Sequence, residues 1–318
     1  MTQYLTLINR LNDIENLVGA LKTDLHEQAT KQKTSKTFKK VPFSFEFFPV
    51  KTDEGQEKLM TTFDELNALN PKYFSVTYGA GGTTRERTLG IVKALIERSN
   101  TPIAPHMSCI GDNKKQIGEL LDFYKSLGIT RLVALRGDLP SGQVGYGELP
   151  YALDLVKFIR HHSAEHFQIK VAAYPEMHPQ AKSFAHDIEQ LIAKYHAGAS
   201  EAITQFFYNA DSYLYLRDEL AKKGIHQENF PITAGIMPIT KASSLIRFAD
   251  SCGADVPRFM RKKFADFGDD SRAVQAFGFD VVISLCERLI AEGVPALHFY
   301  SMNHVKPNKS LVTELGLI

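Results

Sequence analysis

The chain has 318 residues, 44% of them hydrophobic, enough for one large domain or two of ordinary size. Its 37 lysines and arginines nearly match its 36 aspartates and glutamates, so a net charge of +1 gives no electrostatic case for a nucleic acid or an anionic membrane as partner. The three cysteines, Cys109, Cys252 and Cys286, lie far apart with no CxxC pair; they suit neither a disulfide framework nor a zinc site, and point to a reducing cytoplasm.

At the N-terminus, MTQYLTLINRLNDIENLV spreads acids and amides among its apolar residues, unlike a secretion signal. No apolar run elsewhere is long enough for a membrane span. Tyr4, Leu7, Leu11, Ile14, Val18, Leu21 and Leu25 recur at alternating three- and four-residue steps, which predicts an amphipathic helix. The polar, basic run EQATKQKTSKTFKK follows as a linker, so residues 1–40 form a helix and linker ahead of a domain over 41–318. The apolar stripe either folds back on its own domain or joins copies of the chain; a homo-oligomer is the expectation.

From residue 42 the pattern alternates between short β-rich runs and longer amphipathic segments. Strands are predicted over 42–48, 72–78, 102–108, 131–136, 168–175, 201–206, 231–237 and 295–301. Helices are predicted over 54–69, 84–98, 113–127, 151–163, 183–196, 211–223, 240–250 and 270–292, several closed by a glycine such as Gly128, Gly198, Gly224 or Gly293. This rhythm, over about 275 residues, matches a (β/α)8 TIM barrel in the α/β class. The order ends on a strand, so one connection is irregular or carries an extra helix, for which 257–267 (PRFMRKKFADF) is the candidate. A doubly wound open sheet is the alternative, but no G-x-G-x-x-G turn follows a first strand to favour its dinucleotide-binding form.

In a barrel the active site opens at the C-terminal ends of the strands. Polar residues gather there: Glu46, Thr77 and Tyr78, His106, Arg136-Gly137-Asp138, Tyr174 to His178, Gln205, and His298 through Tyr300 to Asn303. In SFEFFP (44–49), pleat alternation puts Ser44, Glu46 and Phe48 on one face and Phe43, Phe45 and Phe47 on the other. Glu46 then points into the barrel, either as partner of an interior cation or as a desolvated acid whose raised pKa lets it hold a proton. YGAGG (78–82) lacks the Lys-Ser/Thr of a P-loop, and YPEMHP falls short of a metal set, so no metal is expected. The glycines of SGQVGYGELP (141–150) read as a mobile loop over the mouth.

Taken in order, SFEFFP, VTYGAGG, ALRGDLP, VAAYPEMHP and AITQFFY resemble the methylenetetrahydrofolate reductase family over roughly residues 42 to 303. The length is similar to the bacterial, catalytic-domain-only form, with no room for the C-terminal regulatory domain of the eukaryotic enzymes. The resemblance implies a TIM barrel that holds FAD non-covalently. NADH or NADPH reduces the flavin and leaves; 5,10-methylenetetrahydrofolate then enters and takes the hydride, in a ping-pong sequence. It implies Glu46 as general acid and Asp138 as the acid that tunes flavin and pterin reactivity. Both also contact the folate, with Gln205 as hydrogen-bonding partner and Phe248 as aromatic neighbour. Flavin contacts carry over to Thr77, His106, Arg136, Gly137, Asp138, Tyr151, Ala152, Tyr174, His178, Asp187 and Lys194.

The chain departs from the family pattern at His304 and Ser244, where an arginine and a glutamine that contact folate are expected, so folate affinity or tail preference should differ. Gln190 and Ala193 stand where an asparagine and an arginine are expected near the cofactor. A Schiff-base aldolase on the same barrel would need a lysine within a strand such as the sixth, but EAITQF has none, and Lys170 lies early in the fifth strand at the wrong end. A non-catalytic flavin-binding partner subunit, or a reductase that takes its electrons from a partner protein, are the remaining alternatives; intact Glu46, Asp138 and Gln205 argue against the first.

Overall fold

The structure, a computed structural model, describes residues 40–78, 82–137 and 147–318. The expected N-terminal helix, Asp138 and most of both glycine-rich runs lie outside these residues.

Eight parallel strands close into a barrel in sequence order. They are β1 (Phe43–Phe47), β2 (Phe74–Val76), β3 (Ile103–Ser108), β4 (Arg131–Leu135), β5 (Gln168–Ala173), β6 (Glu201–Thr204), β7 (Ile232–Ile236) and β8 (Leu297–Tyr300). Closure comes from β8 pairing with β1, with Phe43 opposite Leu297 and Glu46 opposite Tyr300. The connecting helices are α1 (Asp53–Asn67), α2 (Gly82–Arg98), α3 (Lys114–Ser126), α4 (Ala152–Ser163), α5 (Phe184–His196), α6 (Ala210–Ala221) and α7 (Ala242–Cys252). Then come α8 (Arg258–Phe267), α9 (Ser271–Ala291) and, after the last strand, α10 (Lys306–Glu314). The TIM barrel expectation holds, and α8 is the extra helix anticipated at 257–267.

The reading that the order ends on a strand is corrected by α10. Pro307 sits in its first turn, where a missing N–H costs nothing, and Gly316 follows its end with φ +64°. Elsewhere local chemistry sets the helix starts: Asn113 and Gln116 form a reciprocal capping box on α3, and Ser183 accepts from the backbone of His186 to open α5.

Alternation along β1 builds the layer beneath the site. Phe45 and Phe47 point outward and are fully buried. Both stack on Phe74 of β2, at ring separations of 5.9 and 5.3 Å, and Phe74 meets Phe63 of α1 at 4.7 Å. Such pairs add about 0.5–1.5 kcal/mol each beyond the area they bury. The opposite face of the same strand carries Ser44 and Glu46 into the barrel lumen. A rigid aromatic floor therefore holds the strand that presents the acid.

Candidate active site

Glu46 lies near the mouth with its side chain 17% exposed. Three groups from three strands converge on one of its oxygens, Oε2. Ser75 of β2 donates to it at 3.2 Å, His106 Nε2 of β3 faces it at 3.1 Å, and His298 Nε2 of β8 lies 3.5 Å away. Behind this, His298 is fully buried, with Nε2 3.3 Å from Ser75 Oγ and Nδ1 2.7 Å from Ser44 Oγ. The proton placement follows from counting. Ser75 has one hydrogen, spent on Glu46, so His298 Nε2 must be the donor to Ser75, and in the neutral ring Nδ1 accepts from Ser44. Among the described residues, Oε1 of Glu46 has no hydrogen-bond partner.

This geometry corrects the expectation of a raised Glu46 pKa. Burial works to raise it, but the charges and hydrogen bonds of His106 and His298 outweigh burial and hold the carboxyl well below the usual range. The charge part of that pull lasts only while an imidazole carries charge. The carboxylate and its imidazoles therefore hold protons as one cluster rather than as an isolated acid.

The other expected residues among those described follow the strand ends or lie on the helices after them. Thr77 follows β2, its N–H donating to Phe47 O at 2.9 Å. Arg136 and Gly137 follow β4. Gly137 has φ +86°, and a Cβ there would fall 2.0 Å from Ser108 Oγ, which itself donates to Arg136 O at 2.8 Å. Only glycine fits that turn. Tyr151, exposed, precedes α4, which begins at Ala152.

After β5, the rings of Tyr174 and His178 meet edge-on at 4.6 Å, and Asp187 of α5 accepts from the backbone N–H of His178 at 2.8 Å. Lys194 of α5 donates to Ala172 O at 2.8 Å; burial pushes its ammonium down to about 8, against the opposing pull of Asp187. Gln205 follows β6, and Phe248 of α7, half exposed, stacks on Phe206 at 5.6 Å and 13°. His304 and Ser244 are exposed. His106, expected as a flavin contact, faces Glu46. Ser44, Ser75 and His298 belong to the acid's surroundings although the sequence reading assigned them no role there. The signal for them was the shared inward parity of Ser44, Glu46 and His298, which became usable once β1 and β8 were known to be neighbours.

The described residues contain no helix long and apolar enough to cross a membrane. At the opposite end of the barrel, Lys170 is buried and paired with Glu201, which also accepts from Thr233 Oγ1 at 2.6 Å. It is thus no free amine for a Schiff base.

The family model for methylenetetrahydrofolate reductase matches residues 31–316. The 5,10-methylenetetrahydrofolate reductase of Pectobacterium carotovorum subsp. carotovorum is 38% identical over 290 residues, covering 91% of this chain and 95% of its own. That of Escherichia coli (strain K12) is 39% identical over 274 residues, covering 86% and 90%. Among solved structures, an uncharacterized protein from Clostridium thermocellum that binds two copies of 5-methyl-5,6,7,8-tetrahydrofolic acid superposes with a TM-score of 0.61. The alignment covers 90% of this chain and 96% of that one. At 14% identity that likeness speaks for the fold alone.

Proposed function

The chain belongs to the methylenetetrahydrofolate reductase family, and we propose that it reduces 5,10-methylenetetrahydrofolate to 5-methyltetrahydrofolate with Glu46 as general acid, FAD as cofactor and NADH or NADPH as hydride donor. The observation that carries this reading is Glu46 itself. Ser75 donates to Oε2, with the imidazoles of His106 and His298 at 3.1 and 3.5 Å from the same oxygen, which fixes the carboxyl's orientation, while Oε1 keeps its valence for a ligand. The residues at the mouth fit FAD chemically. Arg136, His178 and Lys194 are cationic or donor groups suited to a pyrophosphate, Thr77 and Gly137 line the strand ends, and Tyr151 and Tyr174 offer aromatic faces. Lys194 supports this most directly, because burial alone disfavours its charge and a neighbouring anion would restore it. Bound there, FAD would supply hydride relay between the nicotinamide and the folate.

The protein's own task is proton delivery and alignment. Before a hydride can add, the folate's five-membered ring opens to an iminium, and the departing ring nitrogen takes up a proton. Glu46 delivers that proton from Oε1. The cluster of Glu46, His106 and His298 supplies it, and solvent restores it after turnover. Ser75 and His298 keep the carboxyl from rotating away, and the Phe45–Phe47–Phe74 floor keeps β1 from shifting. Phe248, stacked on Phe206, presents an apolar face to the planar ring of whichever substrate occupies the mouth, and Gln205 offers its amide to the folate. Asp138 is assigned its electrostatic role on the family resemblance.

The test separates the half-reactions by stopped flow without oxygen. FAD-loaded protein should bleach with a reduced nicotinamide and recover its colour with methylenetetrahydrofolate; comparing NADH with NADPH identifies the donor. Glu46→Gln should leave bleaching within about twofold and slow recovery by about 10²–10⁴-fold, the usual worth of a general acid. A variant that reduces the folate at near the normal rate would remove Glu46 from this role. Protein that stays colourless and inactive after FAD addition would sink the flavin reading.

A further inference from the structure

The turn after β8 holds the strand that bears Glu46. Ladder pairing between β1 and β8 ends at Glu46 opposite Tyr300. Beyond it, Ser301 N–H donates to Glu46 O at 3.3 Å, and Ser301 Oγ donates to the same carbonyl. Two residues later comes a two-way clasp: Phe48 N–H donates to Asn303 Oδ1 at 3.1 Å, and Asn303 Nδ2 donates to Phe48 O at 2.9 Å. From the other side, Asn308 Nδ2 of α10 donates to Ser301 O at 2.9 Å and His304 O at 2.6 Å. The turn is thus tied to β1 on one side and α10 on the other.

This arrangement has a conformational cost. Met302 and Asn303 both lie in the left-handed region, at φ +51° and +55°. Asparagine enters it readily, but methionine has no such compensation, and the strain is about 1 kcal/mol or more. Met302 is 41% exposed, so burial of its side chain does not offset that strain. What the conformation gains is the clasp, which carries the β8 side of β1 past the last ladder pair. On the other side, β1 is held as far as Phe47 by pairing with β2 and by Thr77 N–H to Phe47 O. With both sides fixed, Glu46 cannot swing about the end of its strand.

We propose that Asn303 is a positioning residue for Glu46: its clasp on Phe48 sets the distance from the Glu46 carboxyl to His106 and His298, and so governs the proton-transfer half-reaction. This rests on the reading of Glu46 as the general acid. The titratable groups that face Glu46 among the described residues are His106 from β3, His298 and Tyr300 from β8, and Tyr73 just before β2. Asn303 touches none of them and acts through the backbone of β1.

The test is Asn303→Gly, which keeps the left-handed turn without strain and removes both hydrogen bonds. Two readouts are taken: the titration of Glu46 by carboxyl ¹³C NMR in ligand-free protein, and the two half-reactions of FAD-loaded protein. The Glu46 titration should move up by about one pH unit, as looser contact with the imidazoles weakens their pull. The folate half-reaction should slow by about 10- to 100-fold, as misplacement costs, with flavin reduction by the nicotinamide within about twofold. Asn303→Asp, which keeps the acceptor for Phe48 N–H and loses the donor, should fall between the two; it carries the same measurements if the glycine variant does not fold. A wild-type titration and folate rate in these variants would overturn the proposal, as would an equal slowing of both half-reactions, which marks a residue that merely holds the fold. If the wild-type protein does not reduce methylenetetrahydrofolate, the proposed function fails on its own, and the titration alone then decides the clasp, an unchanged Glu46 overturning it.

Discussion

The two ends of the barrel each bury a charged cluster, and they are built to opposite ends. At the closed end, Lys170 of β5 pairs with Glu201 of β6; Thr233 of β7 takes the second Glu201 oxygen, and the Lys170 ammonium sits 4.5 Å over the Tyr73 ring. Both carboxylate oxygens are occupied, and Lys170 is only 3% exposed. At the mouth, Glu46 has one crowded oxygen and one with no partner among the described residues. Tyr73 touches both, its ring stacked on His298 at 5.7 Å and 15° and lying 4.5 Å from the Lys170 ammonium. A satisfied buried cluster serves the fold; one left with open valence serves a ligand.

Breaking the closed end tests this difference most strongly. Lys170→Met leaves Glu201 as a covered carboxylate without its cation, which should cost about 3–5 kcal/mol in stability by chemical denaturation. Lys170→Met combined with Glu201→Gln removes both charges and should recover most of that loss, since Gln still accepts from Thr233. Half-reaction rates of the folded variants should stay close to wild type. A double variant no more stable than the single one would mean that packing of the lysine stem, and not charge pairing, is what the closed end supplies.

Glu46 and Lys170 look alike as sequence, each a charge within a β-rich run, and composition did not tell them apart. Position along the strand did: Glu46 comes late in its run and Lys170 early. The barrel, the inward parity of SFEFFP and the extra helix at 257–267 were legible because each depends on local periodicity. The helix α10 was not, because KPNKSLVTE is short and mostly polar, and its signals are only a proline at the start and a glycine past the end. The lowered pKa of Glu46 was also hidden, since it depends on two imidazoles brought in by strands distant in sequence. Asn303 was hidden for the same reason: an asparagine after a strand reads as a turn residue, and its hold on Phe48 exists only once the barrel closes.

Lys194 sharpens the comparison from the mouth side, with a smaller effect. Burial lowers both buried amines, but Lys170 has a carboxylate in contact, whereas Asp187 beside Lys194 is also engaged by the backbone of His178. A lysine lowered from 10.5 to about 8 weakens the folded state while it is charged. Below pH 8 the amine is protonated folded and unfolded, and the whole cost is present. Between pH 8 and 10.5 the folded amine has lost its proton while the unfolded one keeps it, so stability rises with pH across that window. The gain should reach about 1–3 kcal/mol in ligand-free protein and be absent from Lys194→Met. A pyrophosphate beside Lys194 would raise its pKa again, so FAD binding near pH 8.5 should take up a proton, measurable by calorimetry in two buffers of different ionisation enthalpy. Lys194→Met should bind FAD about tenfold or more weakly with no proton uptake, the loss expected for one charge-assisted contact. Equal proton uptake by wild type and variant would show that Lys194 does not face the cofactor, and its burial would then have to be explained by packing alone.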